Sequence, residues 1–338
     1  MSNRNHKVKI MTYNVWSNEH VAVYRRTQSI DDLVLKHDPD AILFQEVTPH
    51  MSGIFQRSRW WREYPYGFIS QLKGQNSKQL YCMLQASSEQ PRREDSSSSV
   101  MIDGLAVQAS HPDPLMMSSR RYAGFPREGI NLFTCCLPAP TGTNIRGAER
   151  RLEAVRMVNL RLIGGRCDDV ILGGDMNWDE DLDGPFPLTA EDGWVDAWKE
   201  LKPLEALPGT GPRVLPPGSI PACLSEPAGS TLSWAAMKTG LNKNWTNRTR
   251  PESGWTVDTE ANPMLQLQHG SKPVQKRPDR FMCKLKNFTL DSIEMIGMDE
   301  IRGVDYYDDS GKRLEEVRPS HHFGLVLTIS GCATSTAY

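Results

Sequence analysis

The residues best suited to chemistry follow an apolar run in the middle of the chain. Residues 170–172 are aliphatic, two glycines follow, and then come Asp175 and, two positions later, Asn177. Because side chains alternate along an extended chain, Asp175 and Asn177 share one face of a strand end. A carboxylate can take a proton from water, and an amide can donate to a phosphate oxygen without adding charge. Gly-Gly-Asp is also an ordinary turn sequence, so these residues alone leave both interpretations open.

Polar residues stand at the ends of four other apolar runs. Asn14 ends an alternating run that begins at residue 8, and Glu46 follows the run 41–44. Asp279 borders another run, and His322 stands just before the last one. A glutamate at the end of so apolar a strand is a good ligand for Mg²⁺, which proteins commonly hold with one or two carboxylates. Five polar strand ends together predict one common cleft.

Periodicity predicts the elements that position these side chains. Apolar spacing over 21–37 is typical of an amphipathic helix, which the proline at position 39 ends. This helix joins the strands 8–15 and 41–44, and such a strand, helix and strand indicate a layered α/β fold. Further strands are expected at 80–84, 104–109 and 292–296, helices at 146–163 and 194–201, and irregular chain at 110–144.

The segment 54–68 alternates aromatic residues with arginines. Such a segment can stack bases and hold phosphates. It can equally form a core face with a solvated rim, and we favour this second interpretation because periodic aromatic residues usually pack.

Composition limits the class of protein. The chain has 338 residues, of which 38% are hydrophobic, and its formal net charge of -2 shows no overall basic excess, so a local patch must hold any anionic ligand. The seven cysteines include no C-x-x-C pair, which favours reduced thiols in an intracellular compartment. No apolar run of 18 residues exists, and we expect neither a signal peptide nor contact with a membrane.

We expect one domain over residues 7–330. Residues 87–99 are charged and serine-rich, and about 204–252 are rich in Pro, Gly and Ser without any period. Both segments are predicted to be flexible, the second as an insertion, and 331–338 as a flexible tail.

Taken together, these motifs resemble the endonuclease/exonuclease/phosphatase family. The strings that carry the resemblance are Tyr13-Asn14, Gln45-Glu46-Val47, Gly174-Asp175-Met176-Asn177, Asp279-Arg280 and Ser320-x-His322-Phe323-Gly324. Within the family, the chain resembles in particular the plant members of the type 2 tyrosyl-DNA phosphodiesterase branch. The cues are Phe44-Gln45-Glu46-Val47-Thr48-Pro49, Asn177-Trp178, Thr256-x-Asp258-Thr259 and Pro319-Ser320-x-His322. The match is specific over about 7–84, 146–203 and 254–330.

The resemblance implies a fold and an activity. The fold is a four-layer α/β sandwich, with two packed mixed β-sheets flanked by helices. The activity is Mg²⁺-dependent hydrolysis, with Mn²⁺ as a substitute, of the phosphodiester that joins a tyrosine to a 5′ DNA end. The implied partners are DNA 5′ ends with tyrosyl or peptide adducts. We expect a monomer in the nucleus, with some protein in the cytoplasm.

The resemblance also implies roles for the polar strand ends. Glu46 holds the metal and Asp175 activates the attacking water. Asn14 and Asn177 grip the phosphate, while His322, oriented by Asp279, stabilises the transition state. Further substrate contacts are expected from Arg146, Trp178 and Trp255.

Two departures from the family pattern weaken the expected activity. His321 stands where the family has an acid beside His322, which removes a negative charge next to the metal. A family histidine that contacts phosphate is missing, and its equivalent is either Cys136, in Thr134-Cys135-Cys136-Leu137, or Arg121, in Ser119-Arg120-Arg121-Tyr122. Besides an enzyme with reduced activity, two alternative functions therefore remain open. One is a pseudoenzyme that keeps the fold and DNA binding, and the other is a phosphoesterase acting on RNA, other nucleic acids or phosphoinositides.

Overall fold

The computed structural model of the chain describes residues 7–64, 66–69, 79–84, 115–120, 130–137, 139, 151–152, 168–202, 253–270, 272–307, 311, 313–314 and 316–332. In chain order its strands are β1 (Lys7–Asn14), β2 (Ala41–Val47), β3 (Tyr66–Ile69), β4 (Gln79–Leu84), β5 (Leu115–Arg120), β6 (Ile130–Cys136), β7 (Asp169–Asp175), β8 (Val195–Asp196), β9 (Val257–Asp258), β10 (Gln275–Lys276), β11 (Asp279–Lys284), β12 (Phe288–Ile296), β13 (Tyr306–Tyr307), β14 (Arg313–Leu314) and β15 (Gly324–Gly331). The helices with complete bounds are α1 (Val23–His37), α2 (Pro49–Phe55), α3 (Glu180–Asp183), α4 (Ala197–Leu201) and α5 (Gln266–His269), with short 3₁₀ helices at Arg59–Glu63, Ala190–Asp192 and Pro263–Leu265.

Two mixed sheets form the body of the described protein. The first has the strand order β12-β15-β1-β2-β4-β3, and the second has the order β5-β6-β7-β11-β8. In the first sheet β1 and β2 are parallel, and in the second β6 and β7 are parallel. The remaining neighbours in both sheets are antiparallel.

The main apolar core lies between the two sheets. Ile10 and Leu43 of the first sheet pack in one cluster with Ile171 and Phe281 of the second. Because successive side chains of a strand point to opposite faces, the intervening residues pack outward.

The outward faces of both sheets carry helices. Met11, Tyr13 and Phe44 pack with Ile30 and Val34 of α1. On the far side, Leu152, in a helical pair of residues, packs against a cluster on the second sheet. The order is helix, sheet, sheet, helix, which confirms the four-layer α/β sandwich.

The aromatic segment belongs to the core. Phe55, Trp60 and Tyr64 are buried beneath α1 and α2, and the ring centroid of Trp60 lies 6.2 Å from that of Phe44. The indole N–H of Trp60 donates to Asp31 at 2.7 Å. The packing interpretation is therefore confirmed for these residues, which present no stacking surface to a nucleic acid.

The prediction of irregular chain at 110–144 was wrong. Strands β5 and β6 lie there, and β6 runs parallel to the central strand β7 with Cys136 opposite Asp175. The predicted helix at 194–201 begins only at Ala197, because Asp196 caps it by accepting a hydrogen bond from the backbone N–H of Trp198. The predicted strand 104–109, the loop 87–99, the insertion at about 204–252, most of the helix 146–163 and the tail from 333 lie outside the described residues.

No helix in the described part of the chain has both the length and the apolar character that crossing a bilayer requires.

Substitution of Gly174 in β7, with Gly53 in α2 as the control, tests how closely β6 and β7 approach each other. A Cβ atom on Gly174 would lie 2.3 Å from the backbone oxygen of Cys135, whereas one on Gly53 in α2 would meet nothing within 4 Å. We expect Gly174→Ala to lower the free energy of unfolding by about 2 kcal/mol or more, because backbone cannot move aside cheaply. Gly53→Ala should raise it by roughly 0.5–1 kcal/mol, since alanine favours the helix. Urea unfolding measures both, and equal effects would contradict the close approach of β6 and β7.

Candidate active site

The predicted site residues come together at one edge of the two sheets. Asn14 ends β1 and Asp175 ends β7. Asp279 begins β11 and lies directly opposite Asp175, because β11 runs antiparallel to β7. His322 comes two residues before β15, and all four residues are buried.

The Asp175 carboxylate is the centre of this site. Its Oδ2 accepts hydrogen bonds from the side-chain amides of Asn14 and Asn177, both at 2.9 Å. Its Oδ1 accepts from the backbone N–H of Asn177 at 2.9 Å. Burial raises the pKa of Asp175, and the nearby His322 charge opposes this rise. A buried carboxylate with a raised pKa is a good acceptor for the proton of a water molecule.

Asn14 and Asn177 differ in how the two N–H groups of their side-chain amides are used. The side-chain amide of Asn177 donates to Leu137 O at 2.7 Å as well as to Asp175, so both of its N–H groups are in use. The amide of Asn14 donates one N–H to Asp175 and carries a second. Asn14 is therefore the better placed of the two to contact a phosphate oxygen, and Asn177 holds Asp175.

A second hydrogen-bonded chain orients His322. Its Nδ1 lies 2.7 Å from Oδ2 of Asp279, and the Thr256 hydroxyl donates to the same oxygen at 2.6 Å. Burial by itself would lower the pKa of His322, but the Asp279 carboxylate outweighs this and raises it to about 9. His322 is thus a protonated donor at neutral pH whose ring is fixed by Asp279. The sequence reasoning missed Thr256, although it stands in the quoted Thr256-x-Asp258-Thr259 string.

Glu46 is held in a strained backbone conformation. Its φ is 61°, in the left-handed region that non-glycine residues rarely adopt, and it lies where the pairing of β2 with β4 shifts register. Its Oε2 accepts hydrogen bonds from the backbone N–H of Ser17 at 3.1 Å and from the Ser17 hydroxyl at 2.8 Å. Strain of this kind concentrates at functional sites, where surrounding contacts maintain it.

The residues present fit a divalent cation. Glu46, Cys136 and Asp175 each offer one ligand atom, and these atoms lie within 4.8 Å of one another; the same holds for Asp175, Asp279 and His322. Oδ1 of Asp279 is buried and accepts no hydrogen bond from the described residues. Buried carboxylate oxygens are stable only with a donor or a cation beside them.

One buried arginine joins the loops that carry the motifs. The guanidinium of Arg26 donates to three carbonyls after β1, those of Val15, Trp16 and Asn18, at 2.9–3.0 Å. It also donates to the carbonyl of Pro319 at 3.3 Å, just before the histidines. The sequence did carry a signal for this residue, because Arg26 lies between Val23 and Ile30 on the buried face of α1.

The strand register places Cys136, one of the two candidate equivalents of the missing family histidine, at the site. Cys136 pairs with Asp175 at the site, with its Sγ 3.9 Å from Oδ2. Arg120 pairs with Ile130, at the opposite end of β6. Cys136 therefore occupies the site, whereas β5 ends far from it; Arg121 itself lies outside the described residues.

The remaining predicted contacts have different outcomes. Trp178 is only 3% exposed, its indole N–H donates to Gly184 O, and its side chain packs in the apolar cluster on the second sheet. Its contact with substrate stays a prediction. Trp255 is half-buried beside Thr256 and stays a prediction. Arg146 lies outside the described residues. His321 is buried, with its ring 5.1 Å from Trp16 and 4.3 Å from His322.

Two packed mixed sheets with acids, amides and a histidine at one edge define a phosphoesterase of the layered α/β class. A sequence model of the Endonuclease/Exonuclease/phosphatase family matches residues 11–294, and the chain belongs to this family. Its members are hydrolases that cleave phosphoesters. A comparison with curated protein sequences finds no significant match.

Solved structures share the fold at low sequence identity. TDP2 from D. rerio, crystallised with a single-strand DNA product, is 16% identical over 96% of this chain and 99% of that one, with a TM-score of 0.54. Truncated TDP2 from Caenorhabditis elegans is 13% identical over 96% and 98%, with a TM-score of 0.56. Beta toxin from Staphylococcus aureus is 11% identical over 95% and 99%, with a TM-score of 0.57. The likeness shows a common fold.

The Asp279–His322 contact predicts a measurable titration. Without metal, NMR of labelled histidine should place the pKa of His322 near 9, and Asp279→Asn should lower it, because the carboxylate that most favours the charged ring is lost while burial still opposes that charge. Asp291→Asn on β12, which bonds to Ser330, is the matched control and should leave it unchanged.

The same shift has a consequence for stability. Since the folded pKa of His322 lies above the unfolded one, its contribution to the free energy of unfolding is complete below about pH 6.5 and is lost as pH rises through about 9. In Asp279→Asn this pH-dependent loss of stability should be smaller, because Asp175 and Glu46 alone then favour the charged ring. If the pKa of His322 is the same in Asp279→Asn as in the unaltered protein, the Asp279 carboxylate does not raise it.

Proposed function

We propose that this protein is a Mg²⁺-dependent phosphodiesterase that hydrolyses the bond between a tyrosine and a 5′ DNA end. The proposal rests on two networks of side-chain hydrogen bonds at the site. One joins Asn14, Asp175 and Asn177, and the other joins Thr256, Asp279 and His322. Family membership supports phosphoester chemistry. The motifs resemble the type 2 tyrosyl-DNA phosphodiesterase branch, whose name is abbreviated TDP2, and the TDP2 structures share this fold.

The site supplies a base and donors in the positions that phosphoester hydrolysis needs. Asp175 takes a proton from the attacking water, and its raised pKa suits this role near neutral pH. The second amide N–H of Asn14 and the protonated His322 donate to oxygens on which negative charge grows. A divalent cation held by Glu46 supplies Lewis-acid stabilisation of the same charge when bound. Thr256 and Asp279 fix His322 before the reaction begins.

The proposed substrates are DNA 5′ ends that carry a tyrosyl or peptide adduct. The D. rerio neighbour was crystallised with a single-strand DNA product, which supports a DNA end as the ligand. Mn²⁺ should substitute for Mg²⁺, because both prefer oxygen ligands. Removal of such adducts would place the protein in DNA repair, as a monomer in the nucleus with some in the cytoplasm.

Turnover of a 5′-phosphotyrosyl oligonucleotide is the direct test, beside a generic phosphodiester and with Mg²⁺ or chelator present. We expect Mg²⁺-dependent cleavage of the tyrosyl substrate, and Asp175→Asn should lower kcat by about a hundred- to ten-thousandfold because the base is lost. Asp181→Asn, an exposed acid in the short helix α3, is the matched control and should be unaffected. A signal that survives Asp175→Asn is contamination, and the pseudoenzyme alternative then replaces the proposal.

His321 provides a second test of the same function. His321→Asp restores the family's acid beside His322, and the added carboxylate should increase kcat and lower the Mg²⁺ concentration needed for half-maximal rate. His20→Asp, on an exposed turn, is the control for adding the same charge elsewhere. Urea unfolding checks that His321→Asp is folded, because the position is buried. If folded His321→Asp shows the same Mg²⁺ dependence as the unaltered chain, the substitution at this position does not weaken the site.

A further inference from the structure

We infer that Cys136 is a metal donor and that it makes this site bind a thiophilic divalent cation, such as Zn²⁺ or Co²⁺, more tightly than Mg²⁺. The inference deepens the proposed function, since it concerns the metal position at Glu46. It assigns this chain a metal preference that an all-oxygen site does not have.

The first support is the position of the thiol. Ligand atoms of Glu46, Cys136 and Asp175 lie within 4.8 Å of one another, and the Cys136 thiol is 3.9 Å from Oδ2 of Asp175. In a four-coordinate zinc site, with Zn–S of about 2.3 Å and Zn–O of about 2.0–2.2 Å, neighbouring donors are roughly 3.5 Å apart. The observed separations are close to the spacing that one shared ion requires.

Strand alternation selects Cys136 rather than its neighbour. Cys135 points to the opposite face of β6, where it is buried with its Sγ 3.1 Å from Sδ of Met176. Burial strongly raises the pKa of the Cys135 thiol, which keeps it protonated. Cys136 is half-buried, so a metal ion can reach it.

A separate observation supports cation binding at this edge of the sheets. Oδ1 of Asp279, on the strand next to Asp175, is buried and accepts no hydrogen bond from any described residue. Asp175, Asp279 and Glu46 bring three carboxyl groups to one edge of the sheets, facing one imidazole, that of His322. A buried carboxylate without a full set of partners is costly, and a bound divalent ion removes that cost.

Donor softness decides which ion binds best. Mg²⁺ takes oxygen ligands and gains little from a thiol, whereas thiolates select zinc and other softer ions. Affinity at mixed sites also rises from Mn²⁺ through Co²⁺ towards Zn²⁺ and Cu²⁺. A softer ion should therefore compete with Mg²⁺ at Glu46, and Cys136 is the residue that makes the difference.

Cobalt titration of the full chain, in the absence of substrate, tests the inference. A bound Co²⁺ with a thiolate ligand gives a sulfur-to-metal charge-transfer absorption that Mg²⁺ cannot give. We expect this band in the unaltered chain and its loss in Cys136→Ser, with Co²⁺ affinity roughly ten- to a hundredfold weaker. Cys332→Ser, an exposed cysteine far along the chain, is the matched control and should keep the band. Glu46→Gln should weaken Co²⁺ binding as well.

Thiol alkylation provides a readout that needs no variant. Cd²⁺ should protect Cys136 from alkylation, as read by mass spectrometry of its peptide, while Cys332 stays reactive and Mg²⁺ protects neither. A charge-transfer band that persists in Cys136→Ser, or alkylation of Cys136 at the same rate with and without Cd²⁺, overturns the inference. Both experiments measure metal binding and not turnover. The inference about Cys136 can therefore hold for a protein that hydrolyses no substrate, and it can be wrong for an active enzyme.

Discussion

Burial of the Asp175 carboxylate is the constraint on which the rest of the site depends. A buried anion is tolerated only where donors surround it, and here the donors come from both sheets. Asn14 belongs to the first sheet and Asp175 to the second, so their hydrogen bond fixes the two sheet edges relative to each other. Just behind it, the Gln45 amide bridges Thr12 of the first sheet and Thr134 of the second. Among the described residues, the contact between the two sheets is thus polar at the site, and a large apolar cluster lies below it.

Charge balance connects this architecture to chemistry. Three carboxyl groups converge, and the described cation among them is His322, whose pKa is raised because Asp279 holds its ring. Arg26 is buried close by, but it donates to backbone carbonyls and so organises the loops after β1 and before β15. The site is therefore short of positive charge, which is the property a metal-dependent phosphoesterase requires. Cys136 beside these acids then gives the site a softer donor set than carboxylates alone.

Much of the fold followed from local pattern. The helix over Val23–His37 and the strands β1, β2 and β7 came from apolar spacing, because the same residues that form these elements also bury them. β5 and β6 were missed, because β6 is stabilised by pairing with β7 and β5 by pairing with β6, rather than by a pattern of their own. The packing of Trp178 against Phe186 is likewise a contact that the strand pattern did not indicate.

The sequence by itself determined which chemistry is present: polar residues placed directly beside apolar runs, and hence Asn14, Glu46, Asp175, Asp279 and His322 at the edge of the sheets. That information is local, because a strand's period and its end can be read from a few neighbouring residues. Only the tertiary structure decided which residues support them. Thr256 behind Asp279, Arg26 between two loops, and Cys136 at the site all depend on strand register and on contacts between distant segments. Register is set by long-range pairing and packing, which no short stretch of sequence encodes.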